Sequence, residues 1–256
     1  ENGFFRYAGK LESLPCLVED HVYDDINLES GNQMVSAGLN NLFGEVMWFY
    51  PTSSSSVVNR MVAYNYFDSI PQRPVWTVGT LARTMWRDSA IFGKPHALEY
   101  DADTDTSFDV VGNTEGRTTY YEHETGTDQV KGGTVTAITA NILSGDFDIT
   151  QRIVGNQMTG IADFRGDGEN IMKIRRFIPD FISQTGDTRV TLNLRNFPSD
   201  TASSSSLGPF TITSSTSKVD TRARARAIAL KIENTSTSQS WKLGTFRLDT
   251  QPDGRR

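Results

Sequence analysis

Residues Gly44–Ser89 read GEVMWFYPTSSSSVVNRMVAYNYFDSIPQRPVWTVGTLARTMWRDS. Trp48, Phe49, Tyr50, Tyr64, Tyr66, Phe67, Trp76 and Trp86 fall in short apolar runs. A serine loop, a proline-containing loop and a Gly79-Thr80 step separate those runs. Val46, Trp48 and Tyr50 alternate with Met47 and Phe49, and Met61–Phe67 and Trp76–Val78 follow the same two-residue period. Aromatic and β-branched residues between turn formers predict antiparallel strands. Leu81–Trp86 reads as a fourth strand, with Gly79-Thr80 as a hairpin turn before it.

Working outward, strand signals dominate. His96–Tyr100, Arg117–His123 and Thr134–Ile142 predict a second, weaker unit, with the turns DADTDT and ETGTDQVKGG between its strands. Two successive units of three or four short strands are the pattern of propeller blades. From Asp146 the alternation is cleaner. Met172–Phe177, Arg189–Asn196, Phe210–Thr213, Arg224–Glu233 and Trp241–Leu248 read as strands of a β-sandwich, with polar loops at Asp200–Ser206 and Thr235–Ser240. The expected fold is therefore all-β, with antiparallel propeller-blade-like sheets over residues 1–145 and a sandwich-like domain over 146–256. The best candidate for a short helix or turn is Asn27–Asn40, weakened by Gly31 and Gly38.

The chain has 256 residues and a formal net charge of −6. That is long enough for a core without disulfides, and it argues against a surface dedicated to gripping duplex DNA. No apolar run approaches the roughly 20 residues of a membrane helix. The sequence starts at Glu1 in what reads as mid-domain sequence, which predicts a piece of a longer polypeptide.

The chemistry-bearing motifs are sparse. Cys16 has no second cysteine to pair with. His21, His96 and His123 lack metal-ligand spacing, and His123-Glu124 opens like HExxH but no histidine follows one helical turn later. Asp101, Asp103 and Asp105 resemble the first ligands of a calcium loop, but Thr106 and Gly112 stand where glycine and glutamate are required. Arg165-Gly166-Asp167 is the integrin tripeptide in a glycine-rich turn, and Asn234-Thr235-Ser236 is a glycosylation sequon. No nucleophile–base pair, phosphate loop or dinucleotide fingerprint is present. The expectation is a non-enzyme without metal or cofactor.

Arg222, Arg224 and Arg226 alternate with alanines, so in one strand they share a face that continues into Ile228, Leu230 and Ile232. Such a row reads as a solvated strand end or, with forked guanidinium groups pairing a neighbour's carboxylates, as a subunit interface, which makes these three arginines the candidate interface.

Four stretches carry a resemblance. They are Leu14–Val18 with Asn27; the opening segment with GEVMWFYP, YNYFD and WTVGTLARTMWRDS; TTYYEHETGTD over Thr118–Asp128; and RRFIPDF, TLNLRNFP, TRARARAIALKI and WKLGTFRLDTQPDGRR in the C-terminal half. In that order they resemble the β-propeller tail nozzle, or DNA-stabilisation, proteins of short-tailed bacteriophages. The resemblance implies a virion structural protein that self-associates in a ring, a homohexamer, below the adaptor and portal-side tail proteins. The lumen would retain genomic DNA and then pass it without sequence-specific binding. Tail fibres or the host surface are further partners, and no catalytic residues carry over. The family's usual chain is longer, with more blades before this region. The alternative reading is a receptor- or glycan-binding module at the tail tip, with Trp76 or Tyr121 as stacking platforms. A third is a depolymerising hydrolase with paired carboxylates among Asp101, Asp103 and Asp105.

Overall fold

The computed structural model describes residues 3–27, 29, 34–89, 93–101, 117–150, 152–155, 162–165, 168–197, 199–200 and 205–255. The fold is all-β, as the sequence predicts. In chain order the elements are β1 (Phe4–Tyr7), β2 (Leu11–Leu14), α1 (Glu19–Asp25), β3 (Ser36–Asn40), β4 (Glu45–Tyr50), β5 (Arg60–Ile70), β6 (Arg73–Gly79), β7 (Met85–Arg87), β8 (His96–Asp101), β9 (Arg117–Glu122), β10 (Asp128–Lys131), β11 (Thr134–Ala137), β12 (Asn141–Leu143), β13 (Arg152–Gly155), β14 (Ala162–Arg165), β15 (Met172–Ile178), β16 (Phe181–Thr185), β17 (Thr188–Arg195), β18 (Ser206–Ile212), β19 (Val219–Ala225), β20 (Ala227–Glu233), β21 (Ser240–Leu243) and β22 (Arg247–Pro252).

Two compact units emerge: Glu1–Thr125 with Gly155–Ala162, and Gly126–Val154 with Asp163–Arg256. The composition shift at Asp146 lies inside the second unit. Sequence pattern places the change at Asp146 because the segment before it is polar. Pairing decides otherwise: β12 adds to β20, and the buried Asn234 side chain binds the backbone of Ile138 and Ala140.

The first unit is organised by β3-β4-β5-β6, a four-stranded antiparallel meander. That strand order is the arrangement of a propeller blade. β4 is apolar from Val46 to Tyr50, as suits a sheet covered on both faces. On one face Tyr50 and Val62 pack with Trp48, Trp76, Phe4 and Val22 of α1. On the other Met47, Phe49 and Ala63 pack with Leu81 and Trp86. The Trp86 ring stacks on Phe49 at 5.9 Å, and its Nε1 donates to the Leu39 carbonyl at 2.7 Å. A Cβ at Gly38 would stand 2.5 Å from that indole, so only glycine admits it.

The structure departs from the sequence pattern at several places. The meander's first strand is β3, inside the stretch read as a short helix or turn, because its residues pair Ser36–Asn40 with Glu45–Phe49. The helix is α1 instead. Gly79-Thr80 is no hairpin turn: β5 and β6 turn at Pro71-Gln72, and Leu81–Thr84 is irregular chain leading to β7 in another sheet. The second sheet is β7-β8-β9. The stretch Thr134–Ile142 does not join it, since β11 pairs with β10 and β12 with β20.

In the second unit, sheet β12-β20-β17-β18 and sheet β19-β15-β22 share one core. Val190, Leu192, Ile212, Ile228 and Ile232 come from the first, and Met172, Ile174, Phe177, Ala223 and Ala225 from the second. Two antiparallel sheets closing on one apolar layer make a sandwich. The stretches Arg224–Glu233 and Trp241–Leu248 each split between elements. Backbone at Arg226 and at Gly244–Phe246 leaves the strand and re-enters pairing elsewhere.

Candidate functional site

Arg222, Arg224 and Arg226 do not form one row in the way their spacing predicts. Arg222 and Arg224 lie on β19, with Ala223 and Ala225 buried between and after them. Arg226 occupies the bend where the chain crosses to the other sheet, and this bend shifts the inward phase from odd to even residues. Ala223 and Ala225 are therefore inward before it, and Ile228 and Ile232 after it.

Two of the three guanidinium groups are used within the chain. Arg224 Nε donates to Asp253 Oδ2 at 2.5 Å. Arg226 donates to the carbonyls of Gly168 at 3.0 Å, Glu169 at 2.7 Å and Arg255 at 3.0 Å, tying the ends of neighbouring segments together. Arg222 is exposed and makes no ion pair with a described residue.

β15 extends the basic face. Lys173 stands opposite Arg224, and Ile174 and Phe177 are both buried. The register shift between Ile174 and Arg176 puts both Arg175 and Arg176 on the solvent side, which spacing alone does not reveal. Arg247 of β22 stands beside Ile178 on the same face. Asp220 and Asp249 flank Arg176 at 3.3 and 3.8 Å.

Charge is divided between the units. Unit one holds 18 acidic and 8 basic residues, a balance of −10; unit two holds 13 and 17, a balance of +4. The net charge of −6 conceals both.

The second polar cluster is buried. Arg83, 4% exposed, reaches inward from the irregular chain before β7. Its Nη1 donates to Glu99 Oε2 at 3.0 Å, its Nε to His123 Nε2 at 2.9 Å, and its Cζ lies 4.0 Å from the centre of the Tyr121 ring. Burial lowers the Arg83 pKa against the opposing pull of Glu99. Burial, then Arg83, then His96, push His123 down to about 4. His123 is thus a neutral acceptor whose ring sits 4.6 Å from that of Trp86. The cluster joins β7, β8 and β9 by polar contacts where the sequence offers little aliphatic surface.

Other sequence candidates resolve individually. Trp76 donates to the Pro15 carbonyl at 2.8 Å and stacks among Phe4, Trp48 and Tyr64, while Tyr121 is 8% exposed beneath Arg83. Neither is an open platform for a sugar. The Asn234 side chain is 3% exposed and bonded through both its amide atoms, so the sequon is closed to a glycan. Burial pushes the Cys16 thiol up to about 11, leaving it protonated near neutrality. His96 stacks on Tyr120 and bonds its hydroxyl. Asp103, Asp105, Thr106, Gly112, Gly166 and Asp167 lie outside the described residues, as do the side chains of Asp101 and Arg165 and part of the Asp200–Ser206 loop. Among the described residues no group of three His, Cys, Asp or Glu side chains could hold a metal ion.

Clefts of about 190 Å³ beside Asp146 and Arg195 and about 250 Å³ beside Asp180 and Thr216 fall below the roughly 300 Å³ at which ligand pockets begin. No family model matches the chain, and no curated protein matches it.

Proposed function

We propose that the chain is a structural, non-enzymatic component of a short-tailed phage tail: a nozzle protein of the virion. It self-associates in a ring, meets adaptor and portal-side proteins above and tail fibres or the host surface below, and retains and then passes genomic DNA. The observation that carries this reading is the meander over Ser36–Gly79. It holds the segments GEVMWFYP and YNYFD of the resemblance in the strand order of a propeller blade. The aromatic residues serve that sheet as packing on both faces rather than as a ligand site. A ring also needs surfaces that recognise other copies, and the divided charge supplies opposite signs on one chain.

The test is imaging. Purified tails, and the full-length protein on its own, are imaged for a ring with a central hole, with antibodies to this chain marking its position. A protein that stays monomeric at high concentration and is absent from tail particles would sink the reading.

A further inference from the structure

We propose that the outer face of sheet β19-β15-β22 docks onto helix α1 of a second copy of this chain, head to tail. The inference rests on the ring reading and names the surfaces that would build it.

The cationic half is defined by what is left over. Arg176 is engaged by Asp220 and Asp249, and Arg224 by Asp253. Lys173, Arg175, Arg222 and Arg247 make no ion pair with a described residue, and all lie on the outward side of one three-stranded sheet. The face carries no outward aromatic residue on β15, β19 or β22 on which a nucleic-acid base could stack. It does carry two aspartates, which would repel phosphates.

The anionic half is α1, sequence EDHVYDD. Val22 anchors the helix inward at 4% exposed, so Asp20 and Asp24, two residues to either side, project from the opposite face. Both are exposed and neither has an ion-pair partner among the described residues. Their placement costs stability. Like charges four apart on a helix repel. Asp24 sits in the last turn, at the negative end of the dipole, and that turn holds no basic residue of its own; the nearby Arg60 is engaged by Asp25. Glu19 and Asp20 suit the first turn; Asp24 does not. A cationic partner from another molecule removes that cost.

The two halves match in scale as well as sign. Residues four apart on a helix carry their Cβ atoms about 5–6 Å apart, and neighbouring strands lie about 5 Å apart. Because the contact joins two different patches, each copy keeps one of each unused until the ring closes.

The experiment uses two full-length variants, R175E/R222E and D20K/D24K, followed by sedimentation at low and high salt. Wild type is expected to assemble, less so as salt rises. Each variant alone should lose association at least tenfold. An equimolar mixture of the two should assemble again, since each then supplies the charge the other reversed. Both variants should keep wild-type circular dichroism.

If wild type forms rings and the variants do so equally well, this docking is overturned while the ring reading stands. A wild-type protein that never associates overturns both. Unchanged mass with a shifted unfolding temperature would mean the charges act within one chain. Tight binding of a duplex DNA oligomer at physiological salt, lost in R175E/R222E but not in D20K/D24K, would assign the face to phosphates. Either result overturns the proposal.

Discussion

The two units bury their apolar residues in different ways. The meander of unit one divides its core between the two faces of a single sheet, with Phe49 on one side and Tyr50 on the other. The sandwich of unit two has one continuous layer, from Met172 to Ile232, between two sheets. The first needs covers: α1 and Phe4 on one face, Trp86 and Leu81 on the other. The second closes on itself. Cover elements are short, so unit one depends on individual contacts where unit two depends on summed aliphatic burial.

The largest expected effect tests the sandwich. Phe177 is 0% exposed, lies at 5.2 and 5.5 Å from the rings of Phe246 and Phe210, and touches the centre of the shared layer. Phe177→Ala should cost about 3–5 kcal/mol, since the cavity cannot collapse between two paired sheets. Urea denaturation followed by circular dichroism measures it. A loss below about 1 kcal/mol would mean that the layer is not continuous.

The corresponding break in unit one is polar. Arg83 holds Glu99, His123 and the Tyr121 ring together, and its removal takes from Glu99 the cation that faces it. Arg83→Ala should cost about 3 kcal/mol, the lower end of what breaking a buried pair does. Arg83→Lys should restore little, because a single ammonium cannot bridge both partners. Equal stability of the lysine variant would show that charge alone, not the fork, holds the joint.

These two sites differ in how far the sequence reveals them. Met172, Ile174, Val190 and Leu192 announce the sandwich because a half-buried strand alternates, and they occupy the core as their period demands. The strands β4, β5 and β6 of the meander are legible for the same reason. β3 is not, since Gly38 reads as a flexible residue until Trp86 is seen lying against it. The helix escapes notice because seven residues with one buried side chain give no period. Arg83 falls in a stretch whose alternation mimics a strand, and nothing local shows that it turns inward to residues 16 and 40 positions away. At the arginine face Arg222, Arg224 and Arg226 are visible in the sequence, but Arg175 and Arg247 join it only through a register shift and a third strand.

Gly38→Ala tests how tightly the Trp86 cover is fitted. The added methyl would meet the indole at 2.5–2.7 Å, and the ring is held by its bond to the Leu39 carbonyl. The cost should be about 1–3 kcal/mol from overpacking. Trp86→Leu should relieve most of it in the double variant, measured as a double-mutant cycle. Strict additivity would place the clash elsewhere.

Acid separates the units more gently. His123 titrates near 4 in the fold against about 6.5 when unfolded, so the unfolded chain binds its proton first. Its contribution is complete above pH 6.5 and is lost as pH falls from there towards 4. Each tenfold difference in proton affinity between the folded and unfolded chain is worth about 1.4 kcal/mol at most, and partial exposure of the ring reduces that. Wild type should lose roughly 1–2 kcal/mol between pH 7 and pH 4.5 beyond what His123→Gln loses. A parallel decline of both proteins would remove His123 as the cause.

The smallest expected effect is on the arginine face. Arg222→Ala removes an exposed side chain with no ion-pair partner among the described residues, so monomer stability should change by no more than about 0.5 kcal/mol. Arg226→Ala, on the same short stretch, strips donors from three backbone carbonyls and should cost more, about 1–3 kcal/mol. The two arginines stand four residues apart and do different work. Arg226 serves the fold and Arg222 does not, so a charge retained at Arg222 is free to act on another molecule. If Arg222→Ala destabilised the isolated chain as much as Arg226→Ala, the face would be part of the fold, and the distinction between a structural arginine and an interface arginine would collapse.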